Sequence, residues 1–127
     1  MPDPVILTSQ RVLVLEDDYY LASDAANAVR EAGGTVVGPF ANERSALEEI
    51  ASMRPTAALL DVNLGNGPSY EAARVLARRG VPFIFMTGYD DEVIPKEFAA
   101  IARLRKPVES MQMVSCLGSV LRHSPSP

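Results

Sequence analysis

The sequence predicts an α/β fold, a doubly wound five-stranded parallel sheet in three α/β/α layers. Three observations carry this. Short apolar runs, such as Val12-Leu13-Val14-Leu15, Ala57-Ala58-Leu59-Leu60 and Phe83-Ile84-Phe85-Met86, read as strands buried on both faces, as parallel strands are. Segments with a helical period of apolar residues separate them. Several of these runs close on a reactive side chain, which places the chemistry at the carboxyl ends of the strands, where open α/β sheets bind their ligands.

Taken in order, the first strand covers about residues 11 to 16. The helix after it, about 19 to 32, lines up Ala22, Ala25, Val29 and Ala32 on one face, and Gly33-Gly34 stops it. Thr35-Val36-Val37-Gly38 is a second strand. Asn42 caps a second helix that runs through Met53 and buries Ala46, Leu47, Ile50 and Ala51, and Pro55 ends it. The third strand ends at Asp61. Ser69 caps a third helix to about Arg79, with Ala72, Ala73, Val75 and Leu76 inward and Gly80 behind it. Residues 82–86 make the fourth strand. In the segment 92–100 a helix has to be short or begin at Pro95, because proline fits only the first turn. Residues 102–105 form the fifth strand and about 108 to 122 the last helix. That helix carries two apolar stripes, Met111, Val114, Gly118, Leu121 and Met113, Leu117, Val120; one packs on the sheet and the other is open to a partner. Residues 1–9 and 123–127 lack any period and read as flexible termini, leaving one domain over 10–122.

Composition narrows the class. The chain has 127 residues, enough for one core. A net charge of -4 argues against a nucleic-acid surface. No apolar run approaches the ~20 residues that span a bilayer, and Met1-Pro2-Asp3-Pro4 does not open a signal peptide, so no membrane contact is expected. A single cysteine, Cys116, suits a reducing cytoplasm.

The reactive strand ends are Glu16/Asp17, Asp61, Thr87 and Lys106. Several carboxylates at one sheet edge repel unless a cation joins them or a pKa rises. Carboxylates with a nearby carbonyl suit Mg²⁺ more than zinc. A carboxylate beside Mg²⁺ can take a phosphoryl group as an aspartyl phosphate, with a lysine and a hydroxyl to steady its oxygens.

Leu15-Glu16-Asp17-Asp18, Leu60-Asp61-Val62-Asn63-Leu64, Met86-Thr87-Gly88 and Arg105-Lys106-Pro107, in this order and each at a strand end, resemble the receiver domain of two-component response regulators, the CheY-like family with its flavodoxin-like fold. The resemblance covers about residues 10 to 121. It implies a phosphorylation-controlled switch of a phosphorelay, with Asp61 accepting a phosphoryl group from a histidine kinase or phosphotransfer protein. Mg²⁺ would be held by Asp17, Asp61, Glu16 partly through water, and the backbone carbonyl of Asn63. Thr87 would swing toward the phosphoryl group and Lys106 pair with it. Lys106-Pro107 resembles the family's usual cis pair. The chain would assist its own dephosphorylation but is not expected to be an enzyme acting on external substrates, and with no output domain it would signal by contact with a downstream protein. Homodimer contact through the fourth helix, the fifth strand and the last helix fits the family's habits.

Two departures matter. The position three before the lysine, usually an aromatic switch residue in this family, holds Arg103. The loop after Asp61 has Gly65, Gly67 and Pro68 in place of the family's pattern. The run Phe85-Met86-Thr87-Gly88-Tyr89 resembles a subgroup, frequently stand-alone, with a Phe-x-Thr-Gly-Tyr fourth strand and no aromatic switch; Tyr89 is the residue to take over that role. Two other readings compete. A Mg²⁺-dependent phosphohydrolase with Asp61 as nucleophile would want an acid two residues later, where Asn63 stands. A silent pseudo-receiver would act as an interaction domain only. Of the remaining polar groups, Asp18 reads as a helix cap, His123 as surface, and Arg74, Arg78 and Arg79 as a solvated face.

Overall fold

The computed structural model describes residues 6–62, 70–88 and 94–122. The chain alternates β1 (Arg11–Leu15), α1 (Tyr19–Glu31), β2 (Thr35–Phe40), α2 (Glu43–Met53), β3 (Ala57–Asp61), α3 (Glu71–Arg78), β4 (Phe83–Thr87), a 3-10 turn (Lys96–Phe98), β5 (Arg103–Arg105) and α4 (Ser110–Arg122). The five strands form one sheet in the order β2-β1-β3-β4-β5, all pairs parallel. This is the doubly wound, flavodoxin-like sheet that the apolar runs predict.

Side chains alternate strictly across the strands. Leu13, Leu15, Ala58, Leu60, Phe83 and Phe85 join a core under α2 and α3; Val12, Val14, Ala57, Leu59, Ile84 and Met86 join another under α1 and α4. Both sets are buried, which is why these strands read as continuous apolar runs and not as alternation. Burying one such large side chain contributes about 1.5–3 kcal/mol relative to exposing it. The two cores differ in kind. The α2/α3 side gathers Tyr70, Phe83, Phe85 and Phe98 into mutually edge-on or tilted rings 5.4 to 6.1 Å apart, a geometry that ring quadrupoles favour. The other side is aliphatic.

Helix ends follow the sequence where local chemistry decides them. Asp18 accepts from the amides of Tyr20 and Leu21, and Asn42 from that of Ser45. Gly33 and Gly80, at φ 93° and 71°, turn the chain out of α1 and α3. Arg54 terminates α2 in the left-handed region at φ 48°. That conformation costs a residue with a Cβ about 1 kcal/mol more than glycine.

The structure departs from expectation where tertiary contact overrides local signal. Residues 6–9, expected to be frayed, form a turn in which Leu7 is wholly buried and its amide donates to the Ala32 carbonyl. Strand β2 runs past Gly38 to Phe40, whose carbonyl still accepts from the Glu16 amide. Ala51 is exposed and Leu47 only partly buried, so α2 packs mainly through Ala46 and Ile50. The N-cap of α3 is Tyr70, without a side-chain cap; Glu43 of α2 supplies one by accepting from the Ala72 amide at 2.9 Å. Ser69 lies outside the described residues. Between β4 and β5 the described residues hold a 3-10 turn, Lys96–Phe98, capped by Pro95, the short helix expected at that proline. In α4 the Met113/Leu117 stripe faces the sheet; Gly118 is covered by Ile6, while Met111 stays 74% exposed.

Candidate functional site

At the carboxyl end of the sheet, β1 and β3 lie side by side in register, Leu15 opposite Leu60, so the residues that follow bring Glu16 and Asp61 together. Both are buried, Glu16 at 2% and Asp61 at 4% exposure, and Asp17 stands exposed at the rim. Carboxylate oxygens of Glu16, Asp17 and Asp61 all lie within 4.8 Å of one another. Lys106, from the end of β5, reaches both buried acids: its Nζ is 2.9 Å from Glu16 Oε1 and 3.0 Å from Asp61 Oδ1. Its backbone amide donates to the Thr87 carbonyl at 2.8 Å, which fixes where the lysine leaves the sheet.

The electrostatics follow from burial. Desolvation, reinforced by a hydrogen bond and by the negative charge of Asp61, raises the Glu16 carboxyl to about 7 against the opposing pull of Lys106 and the Asp18 amide. Burial works to lower the Lys106 ammonium, but hydrogen bonds and charge from Glu16 and Asp61 outweigh it, and its pKa is raised. One ammonium therefore holds two crowded carboxyl groups. The donor set fits Mg²⁺: three carboxylates converge, offering the oxygen ligands a hard cation takes, and exposed Asp17 leaves room for water. Thr87 is buried with its hydroxyl aimed at the Leu104 carbonyl at 3.5 Å, a contact too long to hold it firmly.

Residues 12–117 match the family described as the response regulator receiver domain. The chain belongs to that family. Among solved structures, the receiver domain is similar to SdrG of Sphingomonas melonis Fr1, with 31% identity, 91% of this chain and 98% of that one covered, and a TM-score of 0.79. It also resembles the PhyR receiver domain of Erythrobacter litoralis, at 25% identity over 94% and 95% of the two chains with a TM-score of 0.82. The transcriptional regulatory protein PdtaR of Mycobacterium tuberculosis is 25% identical over 112 residues, 85% of this chain; the receiver spans about half the length of such curated relatives, 55%. Receiver domains are phosphorylation-controlled switches of two-component systems, working between a kinase and downstream targets, and their acidic cluster typically binds Mg²⁺. Members of the family are generally signalling switches and not enzymes. No helix among the described residues is long and apolar enough to cross a membrane.

Of the residues singled out in the sequence, Glu16, Asp17, Asp61 and Lys106 meet, and Thr87 is joined to Lys106 through the backbone. Arg103 is exposed on the edge strand β5, with its charge near the Tyr70 hydroxyl. Asn63 and Tyr89 lie outside the described residues. Sequence reasoning missed Tyr70, a buried ring packed on Phe85 and Phe98, whose hydroxyl pKa is raised by burial and eased by the Arg103 charge. The run Ser69-Tyr70-Glu71 shows no apolar period that would announce it. Arg74 is exposed, as expected of a solvated face, and there pairs with Glu97 at 3.1 Å and lies over the Phe98 ring.

Proposed function

We propose that the chain takes a phosphoryl group on Asp61 from a histidine kinase or phosphotransfer protein, with Mg²⁺ held by Asp17, Asp61, Glu16 and the Asn63 backbone carbonyl. The observation that carries this reading is the Lys106 bridge. Two buried carboxylates are brought together by strand register and held by one cation, an arrangement that stability alone does not favour, since apolar groups would fill the space as well. When bound, Mg²⁺ would supply the positive charge that phosphoryl oxygens need. Asp61 offers the attacking oxygen. Lys106 is placed to move from Glu16 to the new phosphoryl group and keep its partner count. The Thr87 hydroxyl, loosely held, is free to turn and donate to a phosphoryl oxygen, and that turn is the conformational signal.

The finer assignments rest on the same argument. Signalling proceeds by contact with a downstream protein in the cytoplasm, without nucleic acid or membrane. Tyr89 and Arg103 are the residues proposed to carry the signal out of the site. A second copy remains a candidate partner through β5 and α4. The reading that Asp61 serves a phosphohydrolase is disfavoured by Asn63, and a silent receiver by the complete set of metal and phosphoryl groups.

Intact-mass measurement after incubation with acetyl phosphate tests the proposal. The native chain should gain one base-labile phosphoryl group only when Mg²⁺ is present, and Asp61→Asn should gain none. Equal labelling of Asp61→Asn would reject Asp61 as the acceptor.

A further inference from the structure

The opposite end of the sheet carries a cavity of about 410 Å³ that the switch chemistry does not use, lined by Ile50, Ala51, Arg54, Pro55, Arg79 and Val81. Its floor is apolar: Ile50 and Pro55 are buried and Val81 partly so. Its rim is cationic. Arg79 donates from Nη1 to the Ile50 carbonyl at 3.0 Å, and Arg11 from Nη2 to the Arg54 carbonyl at 2.6 Å, so Arg11, Arg54 and Arg79 converge on the end of α2. None of the three pairs with a carboxylate among the described residues, although the chain as a whole is acidic at -4. The ends of α2 and α3 point here with about half a negative charge each, which offsets only part of three full cations. Capping α2 accounts for Arg11 and Arg79. It does not account for Arg54, whose side chain has no hydrogen-bond partner among the described residues and whose backbone sits at φ 48°, where glycine is the ordinary choice.

We infer that this pole is a second recognition site, for an acidic segment of a partner protein that carries an apolar side chain beside its carboxylate. The guanidinium fork matches a carboxylate in bidentate fashion, and the Ile50/Val81 floor takes the apolar neighbour. A protein segment suits the site better than a small molecule, because Arg54 and Arg79 are exposed and the cavity is too open to enclose most of a small ligand's surface. The site lies at the end of the sheet remote from Asp61, so it would tether a partner independently of phosphorylation.

The test is a titration of the full chain with the blocked peptide Ac-Leu-Glu-Leu-Glu-amide, followed through the arginine Nε–H signals. Its Leu-Gln-Leu-Gln counterpart and inorganic phosphate serve as comparison probes. The inference expects saturable shifts at Arg54 and Arg79 with the Glu peptide, at least tenfold weaker binding by the Gln peptide and by phosphate, and weakening with added salt. Arg54→Gly separates binding from folding: it should cut Glu-peptide affinity at least tenfold while raising the melting temperature and leaving Asp61 labelling by acetyl phosphate intact. Equal binding of the Glu and Gln peptides, phosphate binding as strong as the Glu peptide, or unchanged affinity in Arg54→Gly would each overturn it.

Discussion

The two ends of the sheet hold charge in opposite ways. At the carboxyl end, Glu16 and Asp61 are buried and bridged by one lysine, and burial moves Glu16 up to about 7. At the amino end, three arginines gather in the open: Arg11 and Arg79 donate to carbonyls at the end of α2, and the Arg54 side chain has no hydrogen-bond partner among the described residues. Charge buried in a low-dielectric site is expensive and therefore sensitive: a metal ion, a phosphoryl group or a proton each changes its balance by a large amount. Charge at the exposed end costs little and responds weakly. The same parallel sheet thus builds a switch at one pole and a static surface at the other.

The comparison can be broken first at the switch pole. Lys106→Ala would leave two buried carboxyl groups without their cation, and removing one partner of a buried charge set costs about 3–5 kcal/mol. The loss should be smaller below pH 6, where Glu16 takes up a proton, and should shrink when Mg²⁺ is added; urea denaturation at pH 5.5 and 8, with chelator or Mg²⁺, checks both. An equal loss under all four conditions would mean that Lys106 matters only for packing. A control of similar size away from all charge is Phe85→Ala, which opens the aromatic core for about 3–5 kcal/mol without any dependence on pH or Mg²⁺.

A smaller effect concerns Glu16 itself. Its folded pKa is raised from 4.5 to about 7, so between these values the folded chain binds more protons than the unfolded one. Its contribution is therefore complete below pH 4.5 and is lost as pH rises through about 7. In chelator, native protein should lose stability relative to Glu16→Gln across that window, and saturating Mg²⁺ should abolish the trend. A gain relative to Glu16→Gln would contradict the burial argument. The smallest change belongs to the other pole: Arg54→Gly should stabilise by about 1 kcal/mol through relief of the left-handed backbone, read as a higher urea midpoint.

Much of this was legible in the sequence because the decisive signals were local. Apolar runs that end in Asp61 or Glu16 name both a strand and what stands at its end, and parallel register does the rest. Asp18 and Asn42 cap their helices through residues two or three positions away, and both were readable. What escaped depended on distant contacts. Leu7 closes a run too short to show a period, Val5-Ile6-Leu7, and is buried because it packs at the end of α1. Glu43 caps a helix 29 residues on, which no spacing rule anticipates. Tyr70 belongs to an aromatic cluster assembled from three elements. The arginine pole escaped because its members, Arg11, Arg54 and Arg79, lie far apart along the chain.

The central claim, that Asp61 is the residue on which the buried end of the sheet acts, is tested most directly by locating the phosphoryl group. Borohydride reduces an aspartyl phosphate to homoserine, so peptide mapping after acetyl phosphate, Mg²⁺ and borohydride reads the acceptor position. Homoserine at position 61 and at no other acid is the result expected. Homoserine at position 17, or the 5-hydroxynorvaline that a reduced glutamyl phosphate leaves at position 16, with Asp61 intact, would contradict it.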